Sequence, residues 1–315
     1  MPRFPAVLFA YRRPDLLRRT LAALEGQGIE LLIAFSDAPA EPAFTPDVEE
    51  VRRLLRAVRW AAVRLVERER NLGLGLSIRS GVEEVLREFS GVVVFEDDLI
   101  CAPGAYRFAV AALEHYENVE RVMSVTAWTH PRVVPPGVKD AAYFDGRAEC
   151  WVWGTWPRAW RGMELTAQEM IEDCLRQRID PYRYGRDLVA MAAEESARNI
   201  WAVRWLYHHI RKGGLCLRPP ISLVTHIGED GRGTNVKQPM SDWGTGSIEG
   251  ALPALEWPAA VENPACATLW REAVGTWPVS RDTLGSRLHA SFRRALGAVR
   301  RRLGRGRTMW AKPAD

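Results

Sequence analysis

The sequence predicts an α/β protein with a mostly parallel, Rossmann-like sheet that carries helices on both faces. Two observations predict it. Short apolar runs rich in β-branched and aromatic residues alternate with segments whose apolar residues recur at helical spacing, from the amino terminus to about residue 125. Strands buried on both faces of a parallel sheet have this continuous apolar character, and the alternation implies right-handed βαβ units.

The predicted elements follow one another without an internal repeat or a low-complexity linker. The first helix begins at Pro14, which suits a first helical turn, and ends before Gly26. Beyond residue 128 the pattern breaks into loops, aromatic clusters and longer helices, which predicts an elaborated carboxyl-terminal half. The predicted strands cover residues 4–10, 29–35, 62–66, 91–95 and 121–125, and the predicted helices cover residues 14–24, 47–58, 76–89 and 103–116.

Composition is that of an ordinary globular protein: 47% of the 315 residues are hydrophobic and 26% are charged, which excludes wholesale disorder. No apolar run approaches the roughly 18 residues of a membrane span, and the apolar stretch at the amino terminus is too short for a signal peptide. The five cysteines are scattered and include no Cys-x-x-Cys pair. We therefore expect buried thiols and a cytoplasmic protein.

Three consecutive acids, Glu96, Asp97 and Asp98, stand where the fourth predicted strand ends. In open α/β sheets ligands bind beyond the carboxyl ends of the strands. Three carboxylates repel one another unless a cation lies among them, and oxygen ligands suit Mg²⁺ or Mn²⁺. The alternative for an isolated Glu-Asp-Asp is a solvated acidic turn.

Two common nucleotide-binding motifs are absent from the sequence. A dinucleotide fingerprint needs Gly-x-Gly-x-x-Gly directly after the first strand, where this chain has Tyr-Arg-Arg-Pro at 11–14. Gly73 and Gly75 form a Gly-x-Gly in the third unit, but Ile78 stands where the third glycine belongs. No P-loop occurs either. These observations exclude the dehydrogenase and P-loop interpretations.

The order of four short features resembles the nucleotide-sugar half of the GT-A fold glycosyltransferases. An arginine-bearing turn at 11–13 follows the first strand, Asp37 closes the second, an Asn-x-Gly turn begins at Asn71, and Glu-Asp-Asp ends the fourth. The nearer likeness is to bacterial family-2-like sugar transferases and to the Golgi N-acetylglucosaminyltransferase that starts complex N-glycans. Residues 220–235, with their Gly-rich turn, and the Trp-rich residues 150–160 resemble further family segments, so the likeness covers roughly residues 4–240.

The resemblance implies roles for particular residues. It implies that Asp37 binds the base, that Glu96 and Asp97 bind the ribose region, and that Asp98 ligates Mn²⁺ or Mg²⁺. His226 precedes the Gly-rich turn, where it is predicted either to complete the metal shell or to contact a phosphate oxygen. For His226 the alternative is a structural histidine, and for the Gly-rich turn a mobile surface loop. The implied nucleotide-sugar set is Tyr11, Arg12, Arg13, Asp37, Asn71, Arg79, Glu96, Asp97 and Arg232.

An inverting transferase also needs a general base for the acceptor hydroxyl. The family places this acid near the start of the helix after the Trp-rich loop, where this chain has Asn199 and Ile200. Asparagine cannot take up a proton. The nearest catalytic candidates are Glu194 and Glu195, with Asp187 and Asp145 behind them; for each, a solvated charge is the alternative.

Exposed tryptophans can stack on the apolar faces of sugar rings. Trp151, Trp153 and Trp156 are predicted to border the acceptor, although buried core aromatics are the commoner explanation for most of the thirteen tryptophans. The partner would be a glycan or a lipid-linked acceptor.

Residues 281–315 form a basic tail that holds ten Lys or Arg and two Asp, so the rest of the chain is net acidic. Its apolar residues recur with the spacing of one helical face. A basic amphipathic helix of this kind can lie on an anionic membrane leaflet, here the inner face of the plasma membrane; a solvated helix packed on the body is the alternative. The net-acidic body argues against nucleic acid as a partner.

The sequence therefore predicts a domain over residues 1–280, with a nucleotide-sugar half (1–127), an acceptor half (128–280) and the tail. Its predicted function, implied by the resemblance, is that of a metal-dependent, inverting hexosyl- or N-acetylhexosaminyltransferase that uses a UDP sugar in polysaccharide biosynthesis. The alternative is a catalytically inactive protein that binds nucleotide sugars or carbohydrate on the same scaffold.

Overall fold

The computed structural model describes residues 1–138, 141–233 and 256–275. An eight-stranded mixed sheet forms the centre of the fold, and a two-stranded antiparallel ladder lies beside it. The predicted tail at 281–315 lies outside the described residues. The strands are β1 (Ala6–Ala10), β2 (Leu31–Ser36), β3 (Ala62–Glu67), β4 (Val92–Glu96), β5 (Leu99–Cys101), β6 (Val122–Thr126), β7 (Tyr143–Asp145), β8 (Trp153–Thr155), β9 (Leu215–Arg218) and β10 (Val224–His226).

Nine α-helices connect these strands within the described part of the chain. Among those residues, no helix combines the length and the apolar character that crossing a bilayer requires. The helices are α1 (Pro14–Leu24), α2 (Thr45–Ala57), α3 (Gly73–Leu86), α4 (Ala105–His115), α5 (Pro157–Trp160), α6 (Ala167–Arg176), α7 (Asp187–Arg198), α8 (Ala202–Lys212) and α9 (Cys266–Ala273), and a short 3-10 helix covers Pro42–Phe44.

The first four strands pair in parallel in the order β3-β2-β1-β4. β1, β2 and β4 are buried along nearly their whole length, which explains their continuous apolar sequences. The chain steps outward from β1 to β3 and then crosses back to β4 on the other side of β1. With right-handed crossovers, this reversal puts α3 on the opposite face from α1 and α2. The predicted α/β fold with a mostly parallel sheet is confirmed.

The reversal creates a topological switch point between β1 and β4. Adjacent crossovers leave in opposite directions there, so a crevice opens beyond the carboxyl ends of the two strands. The residues that follow these ends are 11–13 after β1 and 97–98 after β4. Topology alone therefore indicates where a ligand would bind.

The carboxyl-terminal half of the chain extends the same sheet, in the order β4-β8-β6-β9-β7. β8 lies antiparallel between β4 and β6, and β7 is antiparallel to β9. Gly154 lets β8 fit there, because a Cβ atom on it would lie 2.9 Å from Leu113 Cδ1 and 3.0 Å from the Val92 carbonyl oxygen. Strands from both predicted halves thus share one sheet.

Candidate functional site

The acidic triplet lies at the switch point and is largely withdrawn from solvent. Asp97 is 3% exposed and Asp98 is 7% exposed. The Tyr11 backbone N–H donates to Asp97 Oδ2 at 3.1 Å, and the Thr20 hydroxyl of α1 donates to the Asp97 carbonyl. The segments that follow β1 and β4 are therefore joined directly, as the topology predicts.

Arg13 offsets part of the charge of the triplet. Its Nη2 atom donates to Asp97 Oδ1 and, at 2.7 Å, to Asp98 Oδ2. Burial opposes ionisation of Asp98, but the hydrogen bond from His226 and the charge of Arg13 outweigh it and lower the pKa of Asp98 to about 2. At Glu96, burial and the charges of Asp98 and Asp97 raise the pKa to about 8. Arg13 thus stabilises the charged form of the two aspartates that it contacts more than that of Glu96.

The short ladder of β5 and β10 brings a histidine to the triplet. β10 pairs antiparallel with β5, and His226 lies opposite Leu99, directly after Asp98. His226 Nε2 is 3.2 Å from Asp98 Oδ2, and the imidazole stacks on Trp151 with centroids 4.9 Å apart and an interplanar angle of 2°. His226 Nδ1 is buried without a hydrogen-bond partner among the described residues.

Asp98 and His226 fit a divalent cation that has two protein ligands. A carboxylate oxygen and an imidazole nitrogen face each other, which suits Mn²⁺ better than Mg²⁺ because Mg²⁺ prefers oxygen alone. Within residues 1–138, 141–233 and 256–275, no group of three or more His, Cys, Asp or Glu side chains is arranged to hold a metal ion. Further ligands would therefore come from bound water or from a ligand such as a diphosphate.

The turn after β10 passes very close to the triplet. A Cβ atom on Gly228 would lie 2.4 Å from Asp98 Oδ2 and 2.9 Å from Arg13 Nη1, so only glycine fits there without a shift of the carboxylate. Farther along, Arg232 pairs with Asp15 in the first turn of α1 and with Asp230, and all three side chains are partly open to solvent. The Gly-rich turn predicted to contact phosphates thus lies against Asp98 and Arg13.

Asp37 and Asn71 come together at the carboxyl end of β2. Asp37 is 6% exposed, and its carboxylate accepts hydrogen bonds from the backbone N–H groups of Leu72 and Gly73 at 2.9–3.0 Å. The Asn71 side chain donates to the Ala38 carbonyl at 2.7 Å. Burial raises the pKa of Asp37 despite these hydrogen bonds. The carboxylate therefore organises the turn that begins α3; its predicted contact with a base stays a prediction.

Tyr11 and Arg12 connect the segment between β2 and α2 with the triplet. The Tyr11 hydroxyl accepts a hydrogen bond from the Ala40 backbone N–H at 2.9 Å, while its own backbone N–H binds Asp97. The Arg12 guanidinium lies over the Phe44 ring, 4.1 Å from its centroid. The predicted donor-site residues near β1, β2 and β4 thus form one continuous edge of the sheet.

The predicted acceptor tryptophans fall into two environments. Trp151 is half-buried and stacks on His226, beside the triplet. Trp153 is 0% exposed and Trp156 is 2% exposed, so neither ring has a face open to an acceptor. Trp153 instead packs among Trp160, Trp201 and Trp205, with centroids 5.2–5.6 Å apart. β8, the short strand that contains Trp153, is buried along its whole length.

The predicted general bases lie near the end of α7. Glu194 is half-buried. Both oxygens of Glu195 are engaged: Oε2 accepts from the Ala167 backbone N–H at 2.8 Å, and Oε1 accepts from Arg204 Nε. Glu195 therefore caps α6 and fixes Arg204, while its predicted role as a base stays untested.

A pocket of about 240 Å³ lies between α3 and the turn that joins α7 to α8. Asn199 adopts a left-handed φ of 52° in that turn and packs on the first turn of α3, where Cβ atoms on Gly73 and Gly75 would lie 2.7 Å and 2.3 Å from its side chain. The site predicted to hold the base thus holds an amide that packs on glycines. The pocket is lined by Arg79, Glu195, Asn199, Ile200, Trp201 and Arg204.

The reserve candidates Asp145 and Asp187 belong to a buried ion cluster, which the sequence did not predict. Arg218 Nε is 2.9 Å from Asp145 Oδ2, and Arg147 Nη2 is 2.8 Å from Asp187 Oδ2. Glu149 lies 3.3 Å from Arg218 Nη2, and burial raises its pKa. All five residues are at most 5% exposed. Isolated charges in a segment without clear periodicity gave no indication that they pair.

Comparison with known proteins adds little to this geometry. No family model matches the chain, and no curated protein matches it. One similar solved structure is the mannosyltransferase PcManGT from Pyrobaculum calidifontis in complex with GDP-Man and Mn²⁺. The match has 17% sequence identity and a TM-score of 0.36, and covers 54% of this chain and 46% of that chain. The match thus spans less than half of the mannosyltransferase, and at this TM-score it does not indicate what the present chain binds.

Proposed function

We propose that this protein is a glycosyltransferase that binds a nucleoside-diphosphate sugar together with a divalent cation at the switch point between β1 and β4. One observation carries the proposal: Asp98, Arg13 and His226 converge at the carboxyl edge of a parallel sheet, under a turn that only glycine can form at position 228. Cationic and metal-ligating groups in one crevice, next to a close backbone approach, suit a diphosphate.

The neighbouring turn supports a nucleoside next to the diphosphate. Tyr11, Arg12 and the Asp37–Asn71 turn continue the same edge toward β2 and β3, and Phe44 with Arg12 adds an aromatic and a cationic surface. In this assignment the base lies toward Asp37, the ribose toward Glu96 and Asp97, and the diphosphate toward Arg13, Asp98 and Arg232. We propose UDP as the nucleotide and a hexose or N-acetylhexosamine as the sugar, following the sequence resemblance.

The chemistry that these residues supply is stabilisation of a leaving group. When the glycosidic bond breaks, negative charge develops on the departing diphosphate. Arg13 and the N–H groups of the 228–232 turn would bind that charge, and a divalent ion held by Asp98 and His226 would add Lewis-acid stabilisation. Trp151, stacked on His226, would present the ring nearest to the transferred sugar.

A second function, nucleotide-sugar binding without transfer, is favoured by one observation. Glu195, one of the two predicted bases, already uses both carboxylate oxygens for Ala167 and Arg204. An acceptor hydroxyl would therefore have to share or displace one of these two donors to reach a carboxylate oxygen of Glu195. Binding and turnover therefore have to be measured separately.

The binding test is isothermal titration of the full chain with UDP in the presence and absence of Mn²⁺. We expect Mn²⁺-dependent binding that weakens about 100-fold in Asp98→Asn, equal to about 2.7 kcal/mol. The matched control is Asp47→Asn, which removes an exposed carboxylate in the first turn of α2. Absence of Mn²⁺-dependent binding in the wild type, or equal affinity in Asp98→Asn, would contradict the proposed function.

The turnover test is release of UDP from a panel of UDP-sugars. Slow release that disappears in Asp98→Asn indicates an enzyme, whereas binding with no release from any sugar favours the binding protein. Parallel assays of Glu194→Gln and Glu195→Gln with an acceptor test the predicted bases. If one of these residues is the base, its replacement is expected to lower kcat by about 100-fold or more and to leave the Kd for UDP unchanged.

A further inference from the structure

The pocket between α3 and the α7–α8 turn contains a cation that no described residue pairs with. Arg79, in the middle of α3, is half-buried and makes no hydrogen bond or ion pair with any residue in the described ranges. Arg204 lines the same pocket, held in place by Glu195 and by a hydrogen bond of 3.3 Å to the Glu164 carbonyl. Two guanidinium groups and one carboxylate give the lining a net charge of +1.

The electrostatics of this pocket favour an anion. Burial and the charge of Arg204 lower the pKa of Arg79, and Glu195 only partly offsets them. An arginine stays charged at all accessible pH values, so burial and the nearby charge of Arg204 leave the Arg79 cation in an unfavourable position. A half-buried guanidinium with unused donors gains most from a planar or tetrahedral oxyanion, which it can bind through two parallel hydrogen bonds.

The residues that line the pocket are held in place by packing contacts. Asn199 holds a left-handed backbone conformation and fits against Gly73 and Gly75, which fixes the α7–α8 turn on the first turn of α3. Trp201 is anchored in the aromatic core by Trp153, at a centroid distance of 5.3 Å. The walls therefore have defined positions, and the volume of about 240 Å³ is enough for a carboxylate or phosphate group with a few attached carbons.

We propose that this pocket is a second anion subsite, in which Arg79 and Arg204 bind the carboxylate or phosphate of an acidic substrate. Its lining comes from α3, α8, the end of α7 and the α7–α8 turn, and none of those residues is among Arg13, Asp98, His226 and Arg232, the residues proposed to bind the diphosphate and the metal. Glu195 is its positioning residue. The assignment of this anion to the acceptor rests on the proposed function; the binding of an oxyanion does not.

The test is calorimetric titration of the full chain with inorganic phosphate and, separately, with acetate, at constant ionic strength. The background variant is Arg232→Gln, which removes the exposed arginine nearest to the proposed diphosphate site. We expect the Arg232→Gln variant to show saturable binding of at least one anion. Introducing Arg79→Gln into this variant should raise the Kd tenfold or more, and Arg79→Lys should raise it less. The matched control is Arg87→Gln, which changes an exposed arginine at the C-cap of α3, eight positions after Arg79, and should leave the Kd unchanged.

The outcomes separate this inference from the proposed function. Unchanged binding of both anions in Arg79→Gln overturns the second subsite, and so does the absence of saturable binding. Loss of phosphate binding already in Arg232→Gln overturns it too, because the anion would then lie at the diphosphate site. A wild type that binds no UDP with Mn²⁺ but binds phosphate through Arg79 would refute the proposed function and leave the anion subsite standing.

Discussion

The buried ion cluster under the carboxyl-terminal half of the sheet allows one stability prediction to be worked out in detail. Asp145 is 0% exposed and accepts from the Trp270 indole N–H at 2.6 Å and from the Arg147 backbone N–H at 2.9 Å. It also lies 2.9 Å from Arg218 Nε in an ion pair whose N–H does not point directly at the oxygen. Asp145→Asn keeps the volume but removes the charge.

The expected cost follows from what is left behind. Removing one partner of a buried ion pair typically costs about 3–5 kcal/mol, because the remaining charge is uncompensated. Here Glu149 remains 3.3 Å from Arg218 Nη2, so we expect a value near the lower end, about 3 kcal/mol. The new amide would also set its NH2 group either against the Trp270 indole and Arg218, at the position of Oδ2, or against the Arg147 backbone N–H, at the position of Oδ1, which adds to the loss.

The measurement is urea and thermal unfolding followed by tryptophan fluorescence. A loss of about 3 kcal/mol corresponds to a fall in Tm of roughly 6 °C for a chain of this size. Glu83→Gln is the control: its pair with Arg87 is exposed, at 59% and 71% for the two side chains, so no measurable change is expected. A loss below about 1 kcal/mol in Asp145→Asn would refute the argument that Asp145 compensates Arg218.

Two further predictions concern the switch point and the core histidines. In Gly228→Ala the new methyl group displaces Asp98 Oδ2, so we expect the Mn²⁺-dependent affinity for UDP, measured by calorimetry, to fall tenfold or more. The far-UV circular dichroism spectrum should be unchanged. An affinity equal to that of the wild type would show that the turn can move to accept the methyl group. Burial lowers the pKa of His209 to about 3, and its Nδ1 donates to the Trp205 carbonyl while Nε2 accepts from Ser124. Below about pH 6.5 the unfolded chain therefore binds a proton that the folded chain refuses, so stability is full above that pH and falls toward pH 3, by about 2 kcal/mol at pH 5. His209→Gln should flatten the slope of unfolding free energy against pH between 7 and 5, and an unchanged slope would assign it to other groups.

The sequence was sufficient for the first half of the fold because β1, β2 and β4 are buried along nearly their whole length and each helix has one apolar stripe. The observed bounds of β1, β2, β3, β4 and β6 differ from the predicted ones by one or two residues at most ends. The acidic triplet could be placed at a strand end because its apolar run stops at Phe95. Proximity to Arg13 then followed from the parallel pairing of β1 with β4.

The second half was less predictable because its strands are three or four residues long and pair across large sequence separations. β8 covers only Trp153–Thr155, and nothing in the sequence indicates that it inserts between β4 and β6, where Trp153 is buried. The α3 pocket was likewise hidden, since Arg79 and Arg204 are 125 positions apart and meet only through the fold. Charge pairs such as Asp145 with Arg218 leave no periodic pattern.

The β5–β10 ladder links the triplet to the second half of the chain through three residue pairs. Asp98 and His226 therefore face each other across this ladder although they are far apart in the sequence. A ligand that binds both residues also stabilises the pairing of β5 with β10. A ligand at 100 times its dissociation constant would stabilise the protein with the ladder paired by about 2.7 kcal/mol. Amide hydrogens of residues 224–227 should consequently exchange more slowly once the crevice is filled, so that occupancy could be followed from the backbone alone.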